Sequence, residues 1–310
     1  LILVEVSGMI EATKIADALA WHEYYLAVSD WSTAMVNAYF ALETAVISKV
    51  PIVSVTEWDT QIDTVLPVLR NGSATDIPVA EQRLSSEGIA DFGEPLARTD
   101  RGTLQVDLAN GLSIFPVHLK SNRNNACFGL HDAIKNLRRF GFTVTPAMTD
   151  AYDNGFAAAT SDHLKNAKKR ERVIAAVSSV ATGAVTDNNI PVIAGDFNTA
   201  FEPGKYGSSA TDCRLADFGC RKMPFPAAAC SGADGFDDTL GILEEGLAGS
   251  TRWTFLSRYF TRTYDDTAFA DLAIDHIAVP VSKAAYFRNA KLADQTYGSD
   301  HFPLIVDYLP

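Results

Sequence analysis

Short apolar runs bounded by turn residues recur along this chain, at 1–6, 43–49, 103–108, 112–118, 190–195, 274–279 and 303–308. Most have no polar alternation, as strands covered on both faces require. Helical periodicity falls between them, at 9–19, about 127–140 and 161–182, the last running from Ser161 and Asp162 to a stop at Gly183. Interleaving of this kind predicts an α/β fold. No internal repeat, low-complexity tract or charged linker divides the sequence, so a single domain over 1–310 is expected. Two stretches break the rhythm, 71–101 and 199–250, and the second reads as an insertion forming a rim or lid.

Composition narrows the classes. At 310 residues and 47% hydrophobic the chain can bury a full core. Its apolar runs are broken well short of the ~20 residues that cross a bilayer, so no transmembrane segment is expected. A net charge of −12, with bases clustered only at Lys165–Arg172, disfavours tight nonspecific binding of nucleic acid. Cys127, Cys213, Cys220 and Cys230 lack zinc-site spacing. They fit either disulfides in an exported protein, extracellular or periplasmic, or reduced, inert thiols.

Candidate chemistry sits at strand ends. In "PVIAGDFNTA" an apolar strand closes on Gly195, read as a sharp turn, and presents Asp196 and Asn198 on one side. An Asx turn with no further role would look the same. In "LAIDHIAVP" Asp275 and His276 interrupt a strand, and period two lets only one of them face a site. "GSDHFPLIVDY" sets Asp300 and His301 before the last strand, and "LSIFPVHLKSN" ends a strand on His118. Glu5 is the single carboxylate of the apolar "LILVEVSG". Either histidine alone could be an ordinary core or surface residue. Taken together, Glu5, His118, Asp196, Asn198, Asp275, Asp300 and His301 could meet in one cleft at a sheet edge. Carboxylates and an amide without thiolates form a hard site suited to Mg²⁺, Mn²⁺ or Ca²⁺, the setting for water attack on phosphorus.

The order of these motifs resembles that of the endonuclease/exonuclease/phosphatase superfamily, which includes pancreatic-type deoxyribonuclease, abasic-site endonucleases, bacterial sphingomyelinases and inositol-polyphosphate 5-phosphatases. "LVEV" stands where the family has "LQEV", and "LETAVISKVPI", "RGTLQVDL", "FPVHLKS", "GDFN", "IDHIAV" and "SDHFPLI" follow in sequence, spanning Leu1 to Tyr308. The resemblance implies a DNase I-like four-layered sandwich, two mixed β-sheets packed face to face with helices outside. It implies that Glu5 and Asp300 hold a divalent metal, Mg²⁺ first, with Mn²⁺ or Ca²⁺ as substitutes. It makes His301, paired with Asp275, the base, has Asp196 orient the attacking water, and gives Asn198 a phosphoryl oxygen to hold. His118 resembles the second histidine of the deoxyribonuclease and sphingomyelinase branches, with Glu43 standing where its supporting glutamate is found; an exposed strand-start glutamate is the alternative for Glu43.

The chain also departs from the pattern. Members begin with a strand like "RIATWNV", whose Asn contributes to the metal site, so such a segment is expected before Leu1; the alternatives are another chain or fragment that completes the sheet edge beside residues 1–6, or a degraded metal site. The implied activity is metal-dependent hydrolysis of a phosphoester, with a secreted deoxyribonuclease-like endonuclease first. A phosphatase or phospholipid phosphodiesterase comes second, and a non-catalytic anion- or partner-binding member is the remaining class. A lipid substrate would favour an exposed apolar hairpin, for which "KMPFPAAA" and "RWTFL" are the candidates unless they simply pack.

Overall fold

The computed structural model describes residues 1–30, 43–59, 65–84, 102–120, 137, 139–199, 239–247, 250–264 and 273–310, leaving aside the side chains of 149–165. Its strands are β1 (Ile2–Val6), β2 (Tyr25–Val28), β3 (Glu43–Ser48), β4 (Ile52–Asp59), β5 (Leu69–Arg70), β6 (Ser73–Ala74), β7 (Val79–Arg83), β8 (Thr103–Leu108), β9 (Leu112–His118), β10 (Ile190–Asp196), β11 (Trp253–Phe255), β12 (Asp275–Pro280), β13 (Phe287–Leu292) and β14 (Leu304–Tyr308). Its helices are α1 (Met9–Ala18), α2 (Pro146–Gly183) and α3 (Thr239–Glu245). Every apolar run expected to be a strand is one. The helix expected near 127–140 and all four cysteines lie outside the described residues, save for a few positions at the helix's end.

A five-stranded sheet runs β1-β3-β2-β5-β6 and a seven-stranded sheet runs β11-β12-β10-β9-β8-β4-β7, with β13 and β14 paired separately. The seven-stranded sheet is mixed, as expected: β9 and β10 are parallel, joined through α2, and β4 and β7 are parallel. The five-stranded sheet is instead antiparallel throughout. Parallel neighbours need a crossover of a dozen or more residues, whereas β5 and β6 are joined by the two-residue turn Asn71-Gly72, with φ 48° and 77°.

Three apolar layers separate four structural ones. Val6, Leu26, Val28, Ala45 and Ile47 pack with Ala12 and Ala16 of α1. Tyr25 and Val46 of one sheet meet Val55, Val106, Ile114, Val192 and Ile277 of the other. Phe115, Val117, Ile193 and Ala278 face Ile174 and Val177 of α2 and Leu240 and Leu243 of α3. Each such aliphatic side chain contributes about 1.5–3 kcal/mol when withdrawn from water. The order is therefore α1, five-stranded sheet, seven-stranded sheet, then α2 with α3.

The structure bears on three expectations. The helix read as 161–182 begins at Pro146, with Thr145 as its N-cap accepting from the Met148 amide at 3.4 Å. Within the stretch 199–250, α3 is buried in the core; "TLGILEE" is too short and too interrupted by Gly241 to show a helical period. "RWTFL" is no membrane hairpin, since Trp253 and Phe255 of β11 are 1% and 4% exposed against β12. "KMPFPAAA" lies outside the described residues. No helix among the described residues is long and apolar enough to cross a membrane. Strand β1 stands at the edge of its sheet, with β3 as its ladder partner among the described residues.

Candidate active site

Strands β9, β10 and β12 lie side by side, and their ladder sets Asp196 level with His118 on one flank and Asp275 on the other. Side chains opposite one another on a sheet face stand about 5 Å apart, so one row carries an imidazole and two carboxylates. The preceding row is Val117, Gly195 and His276. Gly195 does not serve the turn expected of it. It lies inside β10 with φ 141°, and a Cβ there would fall 2.1 Å from the Val117 carbonyl oxygen. Its lack of a side chain lets β9 approach β10 immediately before the row.

Alternation sends His276 the opposite way, as period two demands. It is fully buried, edge-on to Phe197 and Phe255, with Nε2 donating to the Thr199 carbonyl at 2.9 Å and Nδ1 accepting from Ser257 Oγ at 3.0 Å. Burial pushes it down to about 4, against the opposing pull of Thr199 and Asp275, so it is a neutral clamp on the strand end that carries Asn198.

Asp275 faces the cleft and accepts from Nδ1 of His301 at 2.8 Å. Burial alone would lower the His301 pKa; the hydrogen bond to Asp275 and the charges of Asp275, Asp196 and Asp300 outweigh it and hold the ring up to about 9. Its other nitrogen lies 3.9 Å from Asp300.

Asp196 is fixed by its own loop. One carboxylate oxygen accepts the Asn198 amide and the other the Asn198 side-chain nitrogen, both at 2.7 Å. That nitrogen also donates to the Leu119 carbonyl at 3.0 Å, so both of its protons are engaged within the protein. A phosphoryl oxygen held by Asn198 would have to displace one of them. The residue reaches this position with φ 53°, a left-handed conformation that asparagine tolerates.

Glu5 answers for its place in an apolar strand by not following the strand. Between Leu3, opposite Ala45, and Val6, opposite Glu43, β1 advances one residue more than β3. This bulge is taken up at Glu5, whose φ is 59°. Val6 is thereby carried under α1, while the Glu5 carboxylate crosses to the other sheet and lies 3.3 Å from Nε2 of buried His118. The same nitrogen is 3.8 Å from Asp196.

The structure thus links Glu5, His118, Asp196, Asn198, Asp275 and His301 in one chain of contacts, with Asp300 beyond His301. Glu43 is not the exposed glutamate of the alternative reading: it is 1% exposed and accepts from Ser29 Oγ at 2.7 Å. Sequence reasoning missed Thr263, which braces Asp275, Tyr264, whose ring meets His301, and Glu57, buried beside Asp30 and Asp59. None stands within or at the edge of a strand-like run picked out in the sequence.

As for a cation, no group of three or more His, Cys, Asp or Glu side chains among the described residues is gathered closely enough to hold one. Glu5 and Asp300 nevertheless offer hard oxygen donors, their side chains 55% and 64% exposed. Mg²⁺ keeps several waters and commonly binds through one or two carboxylates plus substrate phosphate, and either carboxylate fits that mode better than a closed cage.

No family model matches the chain, and no curated protein matches it in sequence. Among solved structures it is similar to a 3'-5' exonuclease from Neisseria meningitidis, at 12% identity and TM-score 0.48, over 100% of this chain and 88% of that one. It is also similar to an AP endonuclease from Archaeoglobus fulgidus, at 12% identity and TM-score 0.48, over 99% and 88%.

Proposed function

We propose that this protein is a phosphoester hydrolase of the endonuclease/exonuclease/phosphatase superfamily, dependent on a divalent cation, with DNA the first substrate to test. The observation that carries the reading is the row His118, Asp196, Asp275, flanked by Glu5 against one histidine and by His301 on the last carboxylate. Attack of water on phosphorus needs an oriented water, a positive group near the phosphoryl oxygens and a proton for the leaving oxygen. Asp196, rigidly held and central, is suited to orient the water. His301, its tautomer fixed by Asp275, is the proton-transfer group: the neutral ring takes the proton of the attacking water, and the imidazolium so formed, stabilised by Asp275, gives a proton to the leaving oxygen. His118 is the second nitrogen facing the same cleft. Glu5 and Asp300 would hold the cation, which when bound neutralises phosphoryl charge. Export and an extended segment pairing beside β1, at the edge of its sheet, belong to the same reading. Burial of Trp253 and Phe255 removes one support for a lipid substrate.

The test is a panel of plasmid DNA, bis-(p-nitrophenyl) phosphate, p-nitrophenyl phosphate and sphingomyelin, each with Mg²⁺, Mn²⁺, Ca²⁺ or EDTA, alongside His301→Ala. Hydrolysis abolished by EDTA and by the substitution is expected. Turnover indifferent to both refutes the mechanism, and no turnover on any substrate refutes the enzyme in favour of a binding protein.

A further inference from the structure

The two halves of the Asp275–His301 pair belong to different sheets. Asp275 opens β12 in the seven-stranded sheet, whereas His301 precedes β14 of the separate pair, and no ladder joins β12 to β14. Their 2.8 Å hydrogen bond therefore depends on something outside the ladders. The segment before β12 provides it. Thr263, wholly buried, accepts at Oγ1 from the amides of both Ile274 and Asp275 at 2.9 Å. Its carbonyl accepts from the amide of Phe302, next to His301, at 2.7 Å. Tyr264 bridges His301 backbone to backbone and sets its ring edge-on to the imidazole, centroids 5.0 Å apart.

We propose that Thr263 is a positioning residue that holds Asp275 and His301 in register across the two sheets. This rests on the reading of that pair as part of the reactive centre. One hydroxyl oxygen has two lone pairs, and here they take two consecutive amides. That fixes the backbone at the point where the Asp275 side chain departs, and so the direction in which its carboxylate meets Nδ1. The same residue's carbonyl ties down the other partner. Serine preserves the oxygen, whereas valine preserves the shape and removes it.

The experiment compares Thr263→Val and Thr263→Ser, each alone and combined with Asp275→Ala. One readout is kcat and KM on the best substrate of the panel. The other is the downfield Nδ1 proton resonance of His301 in EDTA-treated protein, which needs no turnover. Thr263→Val is expected to lower kcat about tenfold with KM within about twofold, the order seen when support behind a reacting group is lost. It is expected to erase or broaden the proton resonance, and Thr263→Ser to restore both. With Asp275→Ala already present, Thr263→Val should cost nothing further in kcat, since it acts through the contact that alanine removes. An equal loss in both backgrounds, a serine variant no better than valine, or a proton resonance intact in Thr263→Val overturns the proposal. If no substrate is turned over, the hydrolase reading fails while the resonance still decides the positioning role. Should Thr263→Val not fold, Thr263→Cys, a weak acceptor, must give the same shift in smaller measure, and an unchanged resonance there is equally fatal.

Discussion

Replacing Asp275 with asparagine isolates what its charge does to His301. Asparagine keeps an oxygen able to accept from Nδ1, so the 2.8 Å contact can survive while the charge disappears. In the native protein the ring lies at about 9 against an ordinary 6.5. At about 1.4 kcal/mol per pH unit that gap is worth about 3 kcal/mol, and the acidic neighbours contribute more than the gap because burial opposes them. Asp196 and Asp300 remain in the variant, so the ring should fall by about one to two pH units and stay above its ordinary value.

The sign of the accompanying stability change follows from linkage. A histidine raised in the folded state adds stability that is complete below 6.5 and is lost as pH rises through about 9. EDTA-treated native protein should thus lose up to about 3 kcal/mol from this group between pH 6.5 and 9, and Asp275→Asn distinctly less. Imidazole NMR on labelled protein reads the titration, and urea unfolding at pH 6 and pH 9 reads the stability. His276, held down at about 4, is an internal reference whose signal should not move across the range. A His301 that titrates near 6.5 in the native protein, or that is unmoved by the substitution, refutes the argument.

Gly195→Ala places a methyl group 2.1 Å from the Val117 oxygen at φ 141°, so it should cost about 3 kcal/mol or more through strain and strand displacement. An unfolding midpoint equal to that of the native protein would contradict the close approach. Glu57 is pushed up to about 9, first by burial and then by its contact with Asp30 and the charges of Asp30 and Asp59. Its folded form keeps a proton that the unfolded chain releases near 4.5, so stability should fall as pH rises from about 4.5 to 9, and Glu57→Gln should flatten that slope in urea unfolding at pH 5, 7 and 9. Identical slopes in the two proteins would show that Glu57 does not hold its proton.

The strands that carry the site were legible because burial on both faces demands an unbroken apolar run: β9 reads "LSIFPVH" and β10 "IPVIAGD". What escaped lacks that property. Strand β4, "IVSVTEWD", mixes Ser, Thr, Glu and Asp into its run, yet buries Glu57 and Asp59, as no hydrophobic pattern announces. Strand β13, "FRNAKL", is mostly exposed and is broken by a left-handed Asn289. Helix α2 starts earlier than its apolar period suggests because the signal there is the cap and proline of Thr145-Pro146.

The site divides along the same line. His118, Asp196 and Asp275 end or begin apolar strands, and once β9, β10 and β12 pair, the ladder alone makes them neighbours. Glu5 and His301 arrive by routes that no periodicity records: the first through a left-handed bulge that throws its carboxylate across to the other sheet, the second through a threonine that belongs to neither strand. The ladder residues form a fixed frame, because moving one of them means breaking backbone pairing. Glu5, more than half exposed and 3.3 Å from His118, and Asp300, exposed beyond His301, are free of that constraint. Groups that must meet an incoming cation and an incoming phosphoester need that freedom, and groups that must aim a water need the frame. A sequence shows the frame through its apolar runs and names the adjustable ligands through their motifs, whereas the placement of those ligands depends on single backbone angles and single hydroxyl groups that only the folded chain displays.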